Sequence, residues 1–334
     1  MRTMVVGDGG GVSAGVIEIR RFGLVDLLLL CVAVIWGLNF TSVKWALEDI
    51  QPLAQIGVRM ALSSAIFFVV LRLLEGGVGV ERRYWGRLAL IGVSGLALNQ
   101  VFFVVGLKFT TAVNSTLIYA TAPVYGLLLS GPMNKEKVGG RQFVGLGIAF
   151  VGVLAVIAGG GGGSGLFDTS HLLGDALTMV AAAAWALYSL LAAPLFTRSN
   201  LTPLRVNCYT YFFATLSLIP LTAPFVATQD WSAVGPRAYG AVLYSAALSS
   251  VTAYVFWYKG VRQIGVARTM IYQYLVLPCG VIASALLLHE VVTLFDLLGG
   301  VVILAGIAIA RSAPRIESTS HPSQAAQLEA ERVS

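Results

Sequence analysis

The sequence predicts an all-α, polytopic membrane protein, with ten transmembrane helices arranged as two inverted five-helix repeats. Three observations lead there. Charged residues make up only 11% of the 334 and hydrophobic residues 57%, with a mean hydropathy of +0.81; a soluble domain carries about 25% charged residues. Uncharged runs recur along the whole chain, most of them near the roughly 20 helical residues that a hydrocarbon core of about 30 Å requires. Landmarks also repeat. Asp26 stands ten residues before Trp36 and Asp175 ten before Trp185, while Gly106, Glu136, Gly145 and Gly152 return 154 positions later as Gly260, Glu290, Gly299 and Gly306. Matched landmarks point to duplication, and an odd number of spans per half sets the second copy upside down relative to the first.

The helices are expected at about 24–44, 53–74, 84–106, 112–131, 140–159, 172–192, 204–224, 238–258, 267–288 and 292–311. Residues 1–23 lack the compact apolar core of a cleavable signal, so the run from Leu24 reads as a retained helix behind a disordered tail. The second run is interrupted by Arg59, and the tenth is short unless it begins before Asp296. Pro123 and Pro278 fall at corresponding places in the fourth and ninth runs. Each removes a backbone bond, and so serves either as a hinge or as a static bend. Gly145 with Gly152, and Gly299 with Gly306, put small residues one heptad apart for close packing, within the monomer or between protomers. The domain plan is a first repeat at 24–159, a Gly-rich linker at 160–171, a second repeat at 172–311, and disordered tails at 1–23 and 312–334. Gly159 to Gly163, Ser164 and Gly165 make the linker flexible.

The net charge of +6 is placed for a membrane and not for nucleic acid. With the N-terminus in the cytoplasm, all but four of the 22 Lys and Arg fall in inner segments; the exceptions are Lys44, Lys108, Arg237 and the intrahelical Arg59. This is the positive-inside pattern, and it sets both termini in the cytoplasm of an inner-membrane protein. Cys31, Cys208 and Cys279 are scattered and odd in number, without metal or disulfide spacing, and read as small buried hydrophobes. Trp45, Trp85 and Trp231 read as interfacial anchors.

Within a bilayer a polar group must find a partner in the bundle or in a water-filled cavity. Candidate substrate-binding residues are therefore Asn39, Arg59, Gln100, Tyr119, Trp185, Tyr188, Tyr254 and Gln273, a set of aromatics and amides suited to small amphipathic solutes by stacking and hydrogen bonding. The competing reading of the amides is that they hold neighbouring helices together, at about 0.6 kcal/mol each. Arg59 offers a guanidinium for a substrate carboxylate, or else it snorkels to headgroups or bonds helix carbonyls. No Asp or Glu lies in the middle of any helix, and His171, His289 and His321 sit in loops, at a helix end or in the tail. Transport without obligatory carboxylate-mediated proton coupling follows as the expectation.

The motifs together carry a resemblance. In the first half they are Val34-Ile35-Trp36-Gly37-Leu38-Asn39-Phe40, Val58-Arg59-Met60, Gly106-Leu107-Lys108 and Thr121-Ala122-Pro123-Val124, then Glu136 with Gly145 and Gly152. In the second they are Asp175 to Trp185, Gly260-Val261-Arg262, Leu277-Pro278 and Leu288-His289-Glu290, then Gly299 and Gly306. Over residues 24–311 the chain resembles the drug/metabolite transporter superfamily, in its bacterial EamA-type branch of aromatic amino acid and metabolite exporters. It departs at Leu277, where an acidic residue often precedes the proline, and at Asn134-Lys135, where a glycine is usual before Glu136. The resemblance implies a secondary transporter of small organic metabolites, an amino-acid or drug/metabolite exporter working by alternating access around a central cavity. The alternative is a membrane enzyme or flippase acting on lipid-linked substrates.

Catalysis is disfavoured on the residues themselves. His289-Glu290 lacks the second histidine of a zinc-protease helix, the 159–165 glycines lack Gly-Lys-Ser/Thr, and no Ser, His and acid stand together. Neither cofactor nor metal is expected. The implied partners are a small-molecule solute, the lipid bilayer and, in one reading of the glycine faces, a second copy of the chain in a homodimer.

Overall fold

The computed structural model describes residues 23–122, 124–126, 129, 140–159, 169–264 and 272–311. Among them the only regular structure is helical. The helices are α1 (Leu24–Asp49), α2 (Pro52–Glu75), α3 (Arg82–Phe109), α4 (Ala112–Tyr119), α5 (Gly140–Ala158), α6 (Leu172–Arg198), α7 (Pro203–Thr228), α8 (236–264), α9 (Val276–Leu287) and α10 (Leu294–Arg311). Six of these, α1, α2, α3, α6, α7 and α8, are long and apolar enough to cross a membrane. The protein is therefore a multi-span membrane protein. The other four are shorter than the expected runs. The ladder of the fourth is interrupted by a turn at Ala120–Thr121, and Tyr274–Leu275 form a turn just before α9. The Pro123 hinge expectation, Glu136, residues 160–168 and the two tails lie outside the described residues.

Helix ends follow local chemistry. Pro52, Pro203 and Pro236 stand at first helical positions, where a missing N–H costs nothing. Thr202 and Thr111 accept from Arg205 N and Asn114 N, 3.2 and 3.0 Å away, as N-caps. Thr293 and Asp296 cap α10 reciprocally, at 3.2 and 2.7 Å. The start of α4 is capped from a distance: both Glu290 carboxylate oxygens accept from the Ala112 and Val113 amides, at 2.9 and 2.8 Å. An anion at a helix N-terminus meets the positive end of its dipole, which accounts for a glutamate 178 positions away in the chain.

The helices pack in pairs: α5 along α10, α3 along α6, α2 along α7 and α1 along α9. Glycines set the closest approaches. A Cβ on Gly152 would lie 2.7 Å from Gly299 O, and one on Gly306 would lie 2.6 Å from Gly145 O. The repeated glycines of α5 and α10 thus let these two helices touch backbone to backbone within the monomer. Two helices carry wide π-type turns, at Gly92–Ala97 in α3 and Tyr244–Thr252 in α8. Such turns are rare and insert a residue that rotates all that follows.

Where α1 begins is here termed the proximal end and where it finishes the distal end. The distal ends of α1 and α3 are clasped reciprocally. Lys44 donates to Leu107 O at 2.9 Å and to Thr110 O, while Lys108 donates to Leu47 O at 2.9 Å. Each lysine caps the carbonyl end of the other's helix, which explains two positive charges on the sparsely charged side.

Candidate functional site: a central cavity with a buried arginine

Between the helices lies a cavity of about 950 Å³, including the part that opens to solvent. Every described helix except α5 supplies part of the bundle around it, and α1, α2, α3, α4, α6, α7, α8, α9 and α10 all contribute lining residues or residues immediately beside them. Seven of the eight predicted site residues line it: Asn39, Arg59, Gln100, Tyr119, Trp185, Tyr254 and Gln273.

Trp36 and Trp185, the two landmark tryptophans, meet edge to face at 6.5 Å, and Tyr254 stands 5.7 and 6.1 Å from their rings. The Trp36 indole is fixed by a 3.1 Å bond from Nε1 to Ser249 O. That carbonyl belongs to the wide turn of α8, where the regular ladder is relaxed. Asn39 is held in place by the Ser245 hydroxyl, which donates to its Oδ1. These rings give the cavity a stacking wall, worth about 0.5–1.5 kcal/mol per aromatic pair beyond the area buried.

Arg59 is the single charged residue among the described lining. It is 3% exposed, so it neither snorkels nor reaches a headgroup. Its guanidinium donates to Gln100 Oε1; Gln100 Nε2 donates to Asn99 Oδ1 at 3.1 Å; and Asn99 Nδ2 donates to both Tyr119 Oη and Ala181 O at 2.8 Å. The chain of amides runs from α2 through α3 to α4 and α6, and holds the cation at a set position. Arg59 Nε keeps no hydrogen bond, and no carboxylate lies within ion-pair distance among the described residues. A guanidinium so placed carries an unmet demand for an anion. On the distal side of this chain Phe40 and Phe103 pack edge to face at 5.3 Å, each also against Tyr119 at 5.9 and 5.7 Å.

Tyr188 is the exception. It stacks behind Trp185 at 5.4 Å and its hydroxyl donates to Asn207 Oδ1, so it stands outside the lining and braces it. Pro278 occupies the third position of α9, its first turn, and does not interrupt the helix interior. Its ring excludes a regular bond to the carbonyl four residues back, that of Tyr274, where the turn before α9 falls. Sequence reasoning missed Tyr211, Ser249 and Ser250, which also line the cavity.

A bundle of apolar helices around an amphipathic central cavity defines a membrane carrier of small solutes. The chain belongs to the EamA-like transporter family, whose model matches residues 23–158 and 172–312. It is 27% identical over 308 residues to the uncharacterised transporter YyaM of Bacillus subtilis, covering 90% of this chain and 97% of that one. It is 28% identical over 285 residues to a probable terminal-alkyne amino-acid exporter of Streptantibioticus cattleyicolor, covering 82% and 92%. To a probable amino-acid metabolite efflux pump of Escherichia coli it is 27% identical over 307 residues, covering 87% and 94%. Among the solved structures that it resembles is a crystal structure with a TM-score of 0.58, covering 89% of this chain and 99% of the other at 19% identity, a likeness of fold alone. The protein is a membrane transporter of small metabolites and not an enzyme.

Proposed function

We propose that the protein exports small amphipathic metabolites bearing a carboxylate, amino acids first among them, with both chain termini in the cytoplasm. One observation carries this reading: a buried guanidinium in the cavity with no anionic partner among the described residues. A substrate carboxylate supplies that partner, and the Trp36, Trp185 and Tyr254 rings take an apolar or aromatic side chain. The relatives named as amino-acid exporters and efflux pumps support the substrate class and the direction.

Transport would proceed by alternating access between two inverted five-helix units, 24–159 and 172–311, totalling ten spans. Several symmetric relations support it. Trp36 and Trp185 meet across the cavity, and the wide turns of α3 and α8 occupy equivalent stretches. The pairing of α1 with α9 is matched by that of α6 with α4, and α3 with α6 by α8 with α1. Replacing Arg59 tests the substrate class. In proteoliposomes Arg59→Gln is expected to lose about 100-fold in kcat/KM for L-phenylalanine, and Arg59→Lys, which keeps charge without the fork, about tenfold. Normal transport by both variants would refute the carboxylate role.

No Asp, Glu or His lines the cavity among the described residues, which supports facilitated or exchange transport over a buried proton relay. Flux of L-phenylalanine down its own gradient should then persist with no pH difference across the membrane; strict dependence on an imposed pH gradient would contradict this.

A further inference from the structure

The cavity accounts for Arg59 but not for its neighbours on the same helix face. Gln55, Arg59 and Ser63 lie at successive four-residue intervals on α2, so their side chains rise one above another along one face. Gln55 and Ser63 are fully buried and Arg59 is nearly so. All three hold orphaned atoms. Neither Nε2 nor Oε1 of Gln55 has a hydrogen-bond partner, nor does Arg59 Nε or Ser63 Oγ, among the described residues.

Orphaned polar groups are costly in a membrane protein, where the usual reason to keep an amide is the cross-helix bond it makes. Gln55 makes none. Its position explains why an amide stands there. It lies three residues after Pro52 at the distal start of α2, and Arg59 is one turn deeper, about 6 Å along the axis. Helical side chains lean toward the N-terminus, so Arg59 leans toward Gln55 and toward the distal end. Toward that end stands the clasp of Lys44 and Lys108, so a solute leaving Arg59 distally moves along the helix face that carries Gln55.

We propose that Gln55 is a second substrate-binding position, a distal station whose amide hydrogen-bonds the carboxylate as it leaves Arg59 when the distal end opens. This rests on the reading of Arg59 as the anion receptor. Gln55 is fully buried and does not line the cavity, so a solute reaches its amide only when the distal end parts. In the opposite state it meets either water or the departing head group.

The test separates binding from passage. Gln55→Leu and Gln55→Met, both close in volume and apolar, are reconstituted and compared with the wild type and Gln55→Asn. L-phenylalanine flux should fall about tenfold in both apolar variants, while its Kd, followed by the fluorescence of cavity tryptophans, stays within about twofold. Thermal stability should be unchanged or raised, since an orphaned amide is removed, and Gln55→Asn should recover most of the rate. Wild-type flux in both apolar variants would overturn the proposal. So would a lowered Tm or a lost Kd in them, since either makes Gln55 a structural strut. Arg59→Gln, by contrast, should lose binding itself, so failure there strikes the receptor and leaves the Gln55 result legible.

Discussion

Two helix crossings that the proposed repeat makes equivalent differ in how tightly they are shut. Gly280 of α9 and Gly126 are 154 positions apart, as are Gly260 and Gly106, while Gly37 and Ala186 share the spacing of Trp36 and Trp185. At the α1–α9 crossing a Cβ on Gly37 would lie 2.6 Å from Cys279 Cβ and 2.8 Å from Gly280 N. At its counterpart a Cβ on Gly126 would meet Ala186 Cβ at 3.9 Å, an ordinary contact. The first crossing is backbone on backbone; the second has room for a methyl group. Part of the difference is written in the residues: Gly37 is matched by Ala186, whose methyl group already holds the second crossing apart.

The largest effect should come from filling the tight crossing. Gly37→Ala has no room without moving backbone, and overpacking of this kind costs about 1–3 kcal/mol. A lowered Tm and impaired flux are expected. Gly126→Ala should leave the Tm within about 0.5 kcal/mol of equivalent stability, because the space is there, yet slow transport by obstructing closure of its own crossing. Equal loss of Tm in the two variants, measured by thermal melts of purified protein, would erase the comparison. Smallest is Tyr188→Phe. It removes the bond to Asn207 behind Trp185, worth about 1 kcal/mol of stability, and should leave the Kd for L-phenylalanine nearly unchanged. A Kd that weakens as much as for Arg59→Gln would return Tyr188 to the cavity wall.

Much of this was legible in the chain. Trp36 and Trp185 announced themselves by repetition, and they meet. Arg59 stands out because a charge inside an apolar run needs a reason, and Gln100 because it and Asn99 place two amides together in an apolar helix. The errors have local causes. Tyr188 lies three residues from Trp185 and shares its side of α6, but side-chain direction turns its ring behind the tryptophan and its hydroxyl toward Asn207. Ser249 and Ser250 were unreadable because the wide turn of α8 shifts the helical phase, and no residue type marks such a turn. Glu290 was recognised as a repeated landmark, yet its partner amides at Ala112 and Val113 come together only in the fold. Gln55 and Ser63 could have been found by counting four residues either way from Arg59.

The measurement closest to the centre of this account is equilibrium binding of L-phenylalanine and its carboxamide, which lacks the carboxylate, to the wild type and to Arg59→Gln. If the guanidinium receives the carboxylate, the wild type should prefer the acid by about tenfold or more, and the preference should vanish in the variant. An equal ratio in the two proteins would mean that Arg59 does not read the carboxylate, and the cavity would need another explanation for its one buried charge.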